Sequence, residues 1–167
     1  MNLTSKKNNM WIIGVGSMDF KIRKANIMDI DKGLLGVFIE GYRFHQNGRS
    51  DIFNNISDEM LSEDLVKCFE NLSILVVLDN DNVVGYLAYK IKEKNTKKLH
   101  VEQLVILEQY RGKGLGKMLM NEVKSIGFRN SCDRIELNCW MFNKNALEMY
   151  EHMGFKKQRI VYEFKLK

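Results

Sequence analysis

With 167 residues, 45% of them hydrophobic, and a formal charge of +5, the chain has the length of one domain and enough apolar side chain to bury a core, which excludes a disordered segment. No run approaches the roughly 18 consecutive apolar residues of a membrane-spanning helix. The positive excess is spread along the chain, so nucleic acid is not demanded and an anionic small ligand accounts for the charge equally well.

Cys68, Cys132 and Cys139 have no C-x-x-C spacing, and His45, His100 and His152 are scattered. They read as buried thiols in a reducing cytoplasm, with no metal site. Residues 1 to 18 are taken as an N-terminal extension, which frays or lends a short edge strand, and 19 to 167 as one domain. Lys6 and Lys7 before the apolar Met10–Val15 imitate a signal peptide only faintly, with no A-x-A site after them.

Phe20 to Ala25 alternates apolar and charged residues, the period of a half-buried strand. Asn26 to Asp29 supplies helix-start chemistry, and Leu34, Leu35, Phe38 and Ile39 recur at helical spacing. After the polar stretch from Asn47 to Asp51, Ser57 opens a second helix carrying Leu61, Leu65, Val66 and Phe69. Leu72 to Leu78 is β-branched and short, a strand. The turn from Asp79 to Asn82 joins it to Val83–Ile91 as a hairpin.

The chain returns along Leu99 to Leu107, whose last four residues are apolar at every position and imply a central strand covered on both faces. Leu115, Met118, Leu119, Val123 and Ile126 then share one helical face. Arg134 to Trp140 is a strand, Asn143 to Met153 a short helix ended by Gly154, and Phe155 to Lys167 the last strands. Helices on both faces of a sheet that begins as a meander make an α/β fold.

The seam between Leu107 and the following helix holds Gln109-Tyr110-Arg111-Gly112-Lys113-Gly114-Leu115-Gly116-Lys117. A helix N-terminus exposes unpaired N–H groups, and glycines let a ligand approach that backbone. With Arg111, Lys113 and Lys117 nearby, the segment suits a diphosphate. It is not a Walker loop, because Met118 stands where a hydroxyl is required, and its glycine spacing is wrong for a dinucleotide fingerprint.

Arg111 to Gly116 resembles the acetyl-CoA signature [QR]-x-x-G-x-[GA] of the GCN5-related N-acetyltransferases. Asn143-Lys144-Asn145-Ala146-Leu147-Glu148-Met149-Tyr150-Glu151-His152-Met153-Gly154-Phe155 resembles that family's N-x-x-A-x-x-[FL]-Y-x-x-x-G-F segment. The resemblance implies a mixed, mostly antiparallel sheet of six to seven strands with a splayed parallel pair, formed by the segments around Leu99–Leu107 and Arg134–Trp140. It implies an enzyme that moves the acetyl group of acetyl-CoA directly to a primary amine. Leu104, Val105 and Ile106 would pair with the pantetheine arm, and the Val105 N–H would polarise the thioester carbonyl. Amides of Gly112, Lys113, Gly114, Leu115, Gly116 and Lys117, beside Arg111, would hold the diphosphate.

By the same resemblance Tyr150 is the general acid toward the departing thiolate, and Asn143 caps its helix close to the cofactor. Glu102 is the candidate base, with His100 in reserve. Strand alternation places His100, Glu102, Leu104 and Ile106 on one face and Val101, Gln103 and Val105 on the other. The stretch from His45 to Phe53 would wall the acceptor site. Two positions depart from the family pattern: Glu108 stands where proline is common, and Met149 where phenylalanine is. A CoA-binding sensor without turnover is the alternative reading, and a homodimer is a family-level expectation.

Overall fold

The computed structural model describes residues 5–7, 10–15 and 18–166, with side chains from Asp19 onward. The reading of residues 1 to 18 as an extension therefore falls partly outside the described residues.

The sheet grows in sequence order. Strands β1 (Ser5–Lys7) and β2 (Met10–Val15) lie at one edge. Five strands then carry the core: β3 (Met18–Lys24), β4 (Ser73–Asp79), β5 (Asn82–Glu93), β6 (Lys97–Ile106) and β7 (Arg134–Leu137). Every neighbouring pair is antiparallel except β6 and β7, which run parallel at the far edge. Helices α1 (Leu35–Gly48) and α2 (Asp58–Asn71) cover one face. There Leu34, Val37, Leu61 and Leu65 pack on Val76, Tyr86 and Ala88. Helix α3 (Leu115–Arg129) buries Leu115, Leu119, Met120 and Val123 against the other, joined at its margin by α4 (Lys144–His152). No helix among the described residues is long and apolar enough to cross a membrane.

Local chemistry explains the helix starts. Asn26 accepts from the Met28 N–H and the Asp29 carboxylate from the Asn26 N–H, a capping box that opens a kinked turn before α1. Asp29 is fully buried and forked onto Arg23 through two 2.7 Å hydrogen bonds. Ser57 caps α2 through the Met60 N–H.

Three expectations need correction. The segment from Phe155 to Leu166 forms no strand. The three cysteines are half-buried rather than enclosed. The third correction concerns the faces of β6, where Gln103 pairs with Ala88 but Val101 pairs with Tyr89, so Glu102 is the extra residue of a β-bulge. The alternation slips by one there. Leu99, Val101, Leu104 and Ile106 all face the α3 side, while Val105 faces α1 and α2. His100 and Leu104 therefore do not share a face.

Candidate active site

The parallel ladder between β6 and β7 is short. It begins at Lys98 with Arg134 and ends at Val101 with Leu137. Beyond that point Leu104, Val105 and Ile106 still pair with Leu87, Tyr86 and Gly85 of β5, but among the described residues their other edge has no strand beside it. The two parallel strands thus part where β6 is most apolar, and β6 offers a free ladder edge to an extended ligand.

Immediately downstream, the Tyr110 and Arg111 N–H groups close a 3-10 turn on Leu107 and Glu108. The first α3 bond runs from the Met118 N–H to the Gly114 carbonyl. Between them, the N–H groups of residues 112 to 117 have no acceptor among the described residues. Gly112 and Gly114 adopt φ of 76° and 81°, a left-handed geometry that side chains resist. Nothing lies within 4 Å of a Cβ built on either, so that backbone is open to an approaching anion. Gly116 differs: a Cβ there would meet the Met149 sulfur at 3.1 Å. Its smallness serves the contact between α3 and α4, and Met149 fills the place where the family often has phenylalanine.

This turn is braced from α1. The Glu40 carboxylate accepts from the Glu108 N–H at 2.8 Å and from Arg111 at 3.0 Å. Arg111 also donates to the Ile106 carbonyl and lies over the Phe44 ring, so its guanidinium already has partners within the chain. A proline at position 108 would lack the N–H that Glu40 receives. Tyr110 anchors the other side by donating to Asp79 at 2.9 Å, with the Lys113 ammonium 4.6 Å from its ring centroid.

Asn143 caps α4 as expected, accepting from the Ala146 N–H. The helix ends in a Schellman motif: Gly154, at φ 85°, donates to Glu151, and Phe155 donates to the Tyr150 carbonyl. Phe155 then sets its ring edge against Tyr150 at 5.8 Å between centroids. Tyr150 packs on the α3-side core, near Cys139 just past the end of β7. Burial, with Cys139 adding, holds its phenol well above the ordinary tyrosine range. It stays protonated at every physiological pH.

Glu102 lies on the opposite face from Tyr150. Its carboxylate is 2.8 Å from Lys90, 3.3 Å from Lys92 and 3.7 Å from His100, beside a cleft that α2 lines with Lys67, Cys68 and Asn71. Burial pushes its pKa up, but the two lysines outweigh that and leave it below the usual carboxylate value. Burial lowers His100, and Glu136 is held by Lys98 at 2.6 Å. The structure does not bring Glu102 and Tyr150 together.

A ring cluster walls the α1 end of the wedge. His45 stacks on Phe53, Phe53 meets Trp140 edge-on, and Trp140 stacks on Phe142. Arg49 lies 5.0 Å above Trp140. His45 is held below its usual pKa by burial, despite its bond to the Gly41 carbonyl. In the neutral ring that bond puts the proton on Nδ1 and leaves Nε2 as an acceptor.

The model of the acetyltransferase (GNAT) family matches residues 43–155, more than half of the chain. The chain belongs to that family. Among relatives of this GNAT chain, the N-alpha-acetyltransferase of Saccharolobus solfataricus is 30% identical over 100 residues, 54% of this chain and 60% of its own. The thialysine N-epsilon-acetyltransferase of Mus musculus is 31% identical over 74 residues, 43% of this chain and 44% of its own. The matches thus span about half the length of these relatives. In fold, a variant of the BH1408 protein from Bacillus halodurans superposes with a TM-score of 0.78 at 21% identity, over 87% of this chain and 99% of that one.

Several residues of this GNAT site carry no sequence signal. Glu40 lies 68 positions from the N–H it accepts. Gly41 reads as an ordinary helix residue, yet a Cβ there would lie 2.7 Å from Val105. Trp140 and Phe142 follow the end of β7 and close tightly on α1: a Gly48 Cβ would lie 2.5 Å from the Phe142 ring, and the Phe44 ring lies 5.7 Å from it between centroids.

Proposed function

We propose that the chain transfers the acetyl group of acetyl-CoA directly to a primary amine. One observation carries the reading: six consecutive N–H groups, residues 112 to 117, have no acceptor among the described residues and follow the free edge of Leu104 to Ile106 after one short 3-10 turn. A ligand with an extended, amide-bearing arm and a diphosphate fits that sequence of donors, strand edge first and helix N-terminus second. The Leu107 N–H donates to the Val84 carbonyl, and two residues back Val105 faces β5 in the same way, so the Leu104 N–H, rather than that of Val105, would be the one aimed at the thioester oxygen, where negative charge develops. Tyr150 donates a proton to the leaving sulfur, its ring fixed by Phe155 and its hydroxyl kept protonated by burial.

The amine must be neutral when it attacks. Glu102 is ionised, neutralised by two lysines and on the opposite face of the sheet from Tyr150, which suits a structural ion pair more than removal of the amine proton. The neutral His45 ring, with its Nε2 lone pair inside the aromatic wall, is the second candidate for proton removal. Family membership and relatives named as N-acetyltransferases support acetyl transfer.

Calorimetric titration of the purified chain with CoA and acetyl-CoA, followed by thiol-release assays across polyamine, aminoglycoside, amino-acid and peptide acceptors, tests the proposal. Binding of both ligands and release of CoA with at least one amine is the expected outcome. Binding without release for any amine would leave the sensor reading standing. Absence of binding by the folded chain would overturn both.

A further inference from the structure

Four aromatic rings meet outside both hydrophobic cores. His45, Phe53, Trp140 and Phe142 belong to neither the cluster under α1 and α2 nor the one under α3, and each is half-buried. Their rings close a circuit. Between centroids, His45 lies 5.5 Å from Phe53, Phe53 6.1 Å from Trp140, Trp140 6.2 Å from Phe142, and Phe142 6.1 Å from His45. Rings that neither core uses, and that stay partly open to water, offer a surface on which a flat apolar group can stack.

The circuit is flanked by both halves of the proposed transfer site. His45 bonds to the carbonyl of Gly41, the residue that touches Val105 of β6. On the other side, Trp140 follows Cys139, which lies near Tyr150. Two guanidinium groups border it: Arg49 lies 5.0 Å over Trp140, and Arg111 lies 5.6 Å over Phe44, whose ring meets Phe142. The carboxylates beside these cations are already engaged. Asp51 pairs with Arg49 and Lys165, Glu163 with Arg49, and Glu40 with Arg111. A polyamine or an aminoglycoside carries several ammonium groups and needs free carboxylates to receive them. Here it would meet two guanidinium groups instead.

We propose that the acceptor is a primary amine on a flat aromatic body, with one ammonium group and no other charge, and that Trp140 and Phe53 select it. This rests on the acetyl-transfer reading above and names the substrate class of that site. Stacking fixes the ring, and a short alkyl arm carries the nitrogen toward the thioester. The neighbouring guanidinium charges favour the neutral form of the amine. The neutral nitrogen bonds to the acetyl carbon as the carbon–sulfur bond breaks. One proton leaves the nitrogen for the His45 Nε2 lone pair, and one reaches the sulfur from Tyr150.

Initial rates of CoA release at saturating acetyl-CoA test this with 2-phenylethylamine, 2-cyclohexylethylamine, spermidine and kanamycin. The first two share arm and charge and differ in flatness. The kcat/KM for 2-phenylethylamine should exceed that for 2-cyclohexylethylamine at least about tenfold, and those for the two polycations at least about 100-fold. Trp140→Leu should raise the KM for 2-phenylethylamine at least about tenfold, by a larger factor than it lowers kcat, and Trp140→Phe should recover most of the loss. Phe53→Leu, on the α1 side of the circuit, should act in the same direction and serves as the test if circular dichroism shows Trp140→Leu unfolded. A folded chain that acetylates any non-aromatic amine at an equal or higher kcat/KM would overturn this inference and leave acetyl transfer standing. An unchanged KM in the folded leucine variants would do the same. Binding of acetyl-CoA without CoA release for any amine would overturn both.

Discussion

The Glu108 N–H donates to the Glu40 carboxylate at 2.8 Å, and the same oxygen accepts from Arg111 at 3.0 Å. One acidic residue of α1 therefore sets the position of the turn that launches the glycine segment. Replacing it should affect ligand binding before it affects folding. Glu40→Ala should weaken CoA binding about five- to tenfold, the equivalent of roughly 1–1.4 kcal/mol. Glu40→Gln, which keeps an acceptor oxygen, should recover most of the loss. Calorimetry reads both. Unchanged affinity in Glu40→Ala would show that the brace is ornamental to binding.

The buried Asp29 gives the fold a pH dependence of known sign. Its burial raises its pKa, but the hydrogen bonds from Arg23 and the Asn26 N–H outweigh this, so the folded-state value lies below the unfolded one. The carboxylate's contribution is complete above the unfolded value of about 3.9 and is lost as pH falls through the lower folded value. Asp29→Ala should cost about 2–4 kcal/mol at neutral pH, toward the low side for a buried pair because Arg23 is partly exposed. The difference between the variant and wild type in urea unfolding should shrink as pH falls from 5 to 2. A constant difference would contradict the assignment.

What the sequence showed and what it hid divide along physical lines. Periodicity located α1 to α4 and the hairpin of β4 and β5, because burying one face is a local demand written in spacing. The Asn26, Ser57 and Asn143 caps were legible for the same reason. The bulge at Glu102 was not, since an extra residue depends on the neighbouring strand, and it reversed the face assigned to His100. Nor did alternation in Ile160 to Leu166 reveal that this segment joins no strand among the described residues. The glycine run announced an anion site, but the bracing by Glu40 and the approach of Gly41 to Val105 join residues more than 60 positions apart.

Ser131 offers a gain in stability. It ends α3 in a Schellman motif, donating to the Phe128 carbonyl while Cys132 donates to Gly127. Its φ of 53° is a left-handed conformation that strains a side chain. Ser131→Gly should stabilise the fold by about 0.5–1 kcal/mol, despite the greater freedom of glycine in the unfolded chain. This corresponds to roughly 1–4 °C in melting temperature for a chain of this length. Calorimetric melting decides it, and a lower midpoint would refute the strain argument.

Gly41 is where α1 touches the strand segment proposed to polarise the thioester. Because an added Cβ would lie 2.7 Å from one Val105 methyl carbon and 3.1 Å from the other, Gly41→Ala should destabilise by about 1–3 kcal/mol through overpacking. Val105→Ala on its own should also destabilise, by removing packed methyl groups. Combined, the two should cost less than the sum of the singles, since the smaller side chain makes room for the new methyl. Strict additivity in chemical unfolding would mean that α1 moves off β6 instead.

Tyr150 separates turnover from mere binding. Its ring is held by packing and by Phe155, so Tyr150→Phe removes a hydroxyl without emptying the space the ring fills. Affinity for acetyl-CoA should stay within about threefold, while kcat should fall by about 100-fold or more, the usual scale for losing a positioned proton donor. The wild-type rate should also hold on the alkaline side up to about pH 10. A donor is lost only as pH rises through its own pKa, and burial has raised this one above the ordinary value of about 10. If Tyr150→Phe kept half of the wild-type rate, the leaving thiolate would have to take its proton from elsewhere.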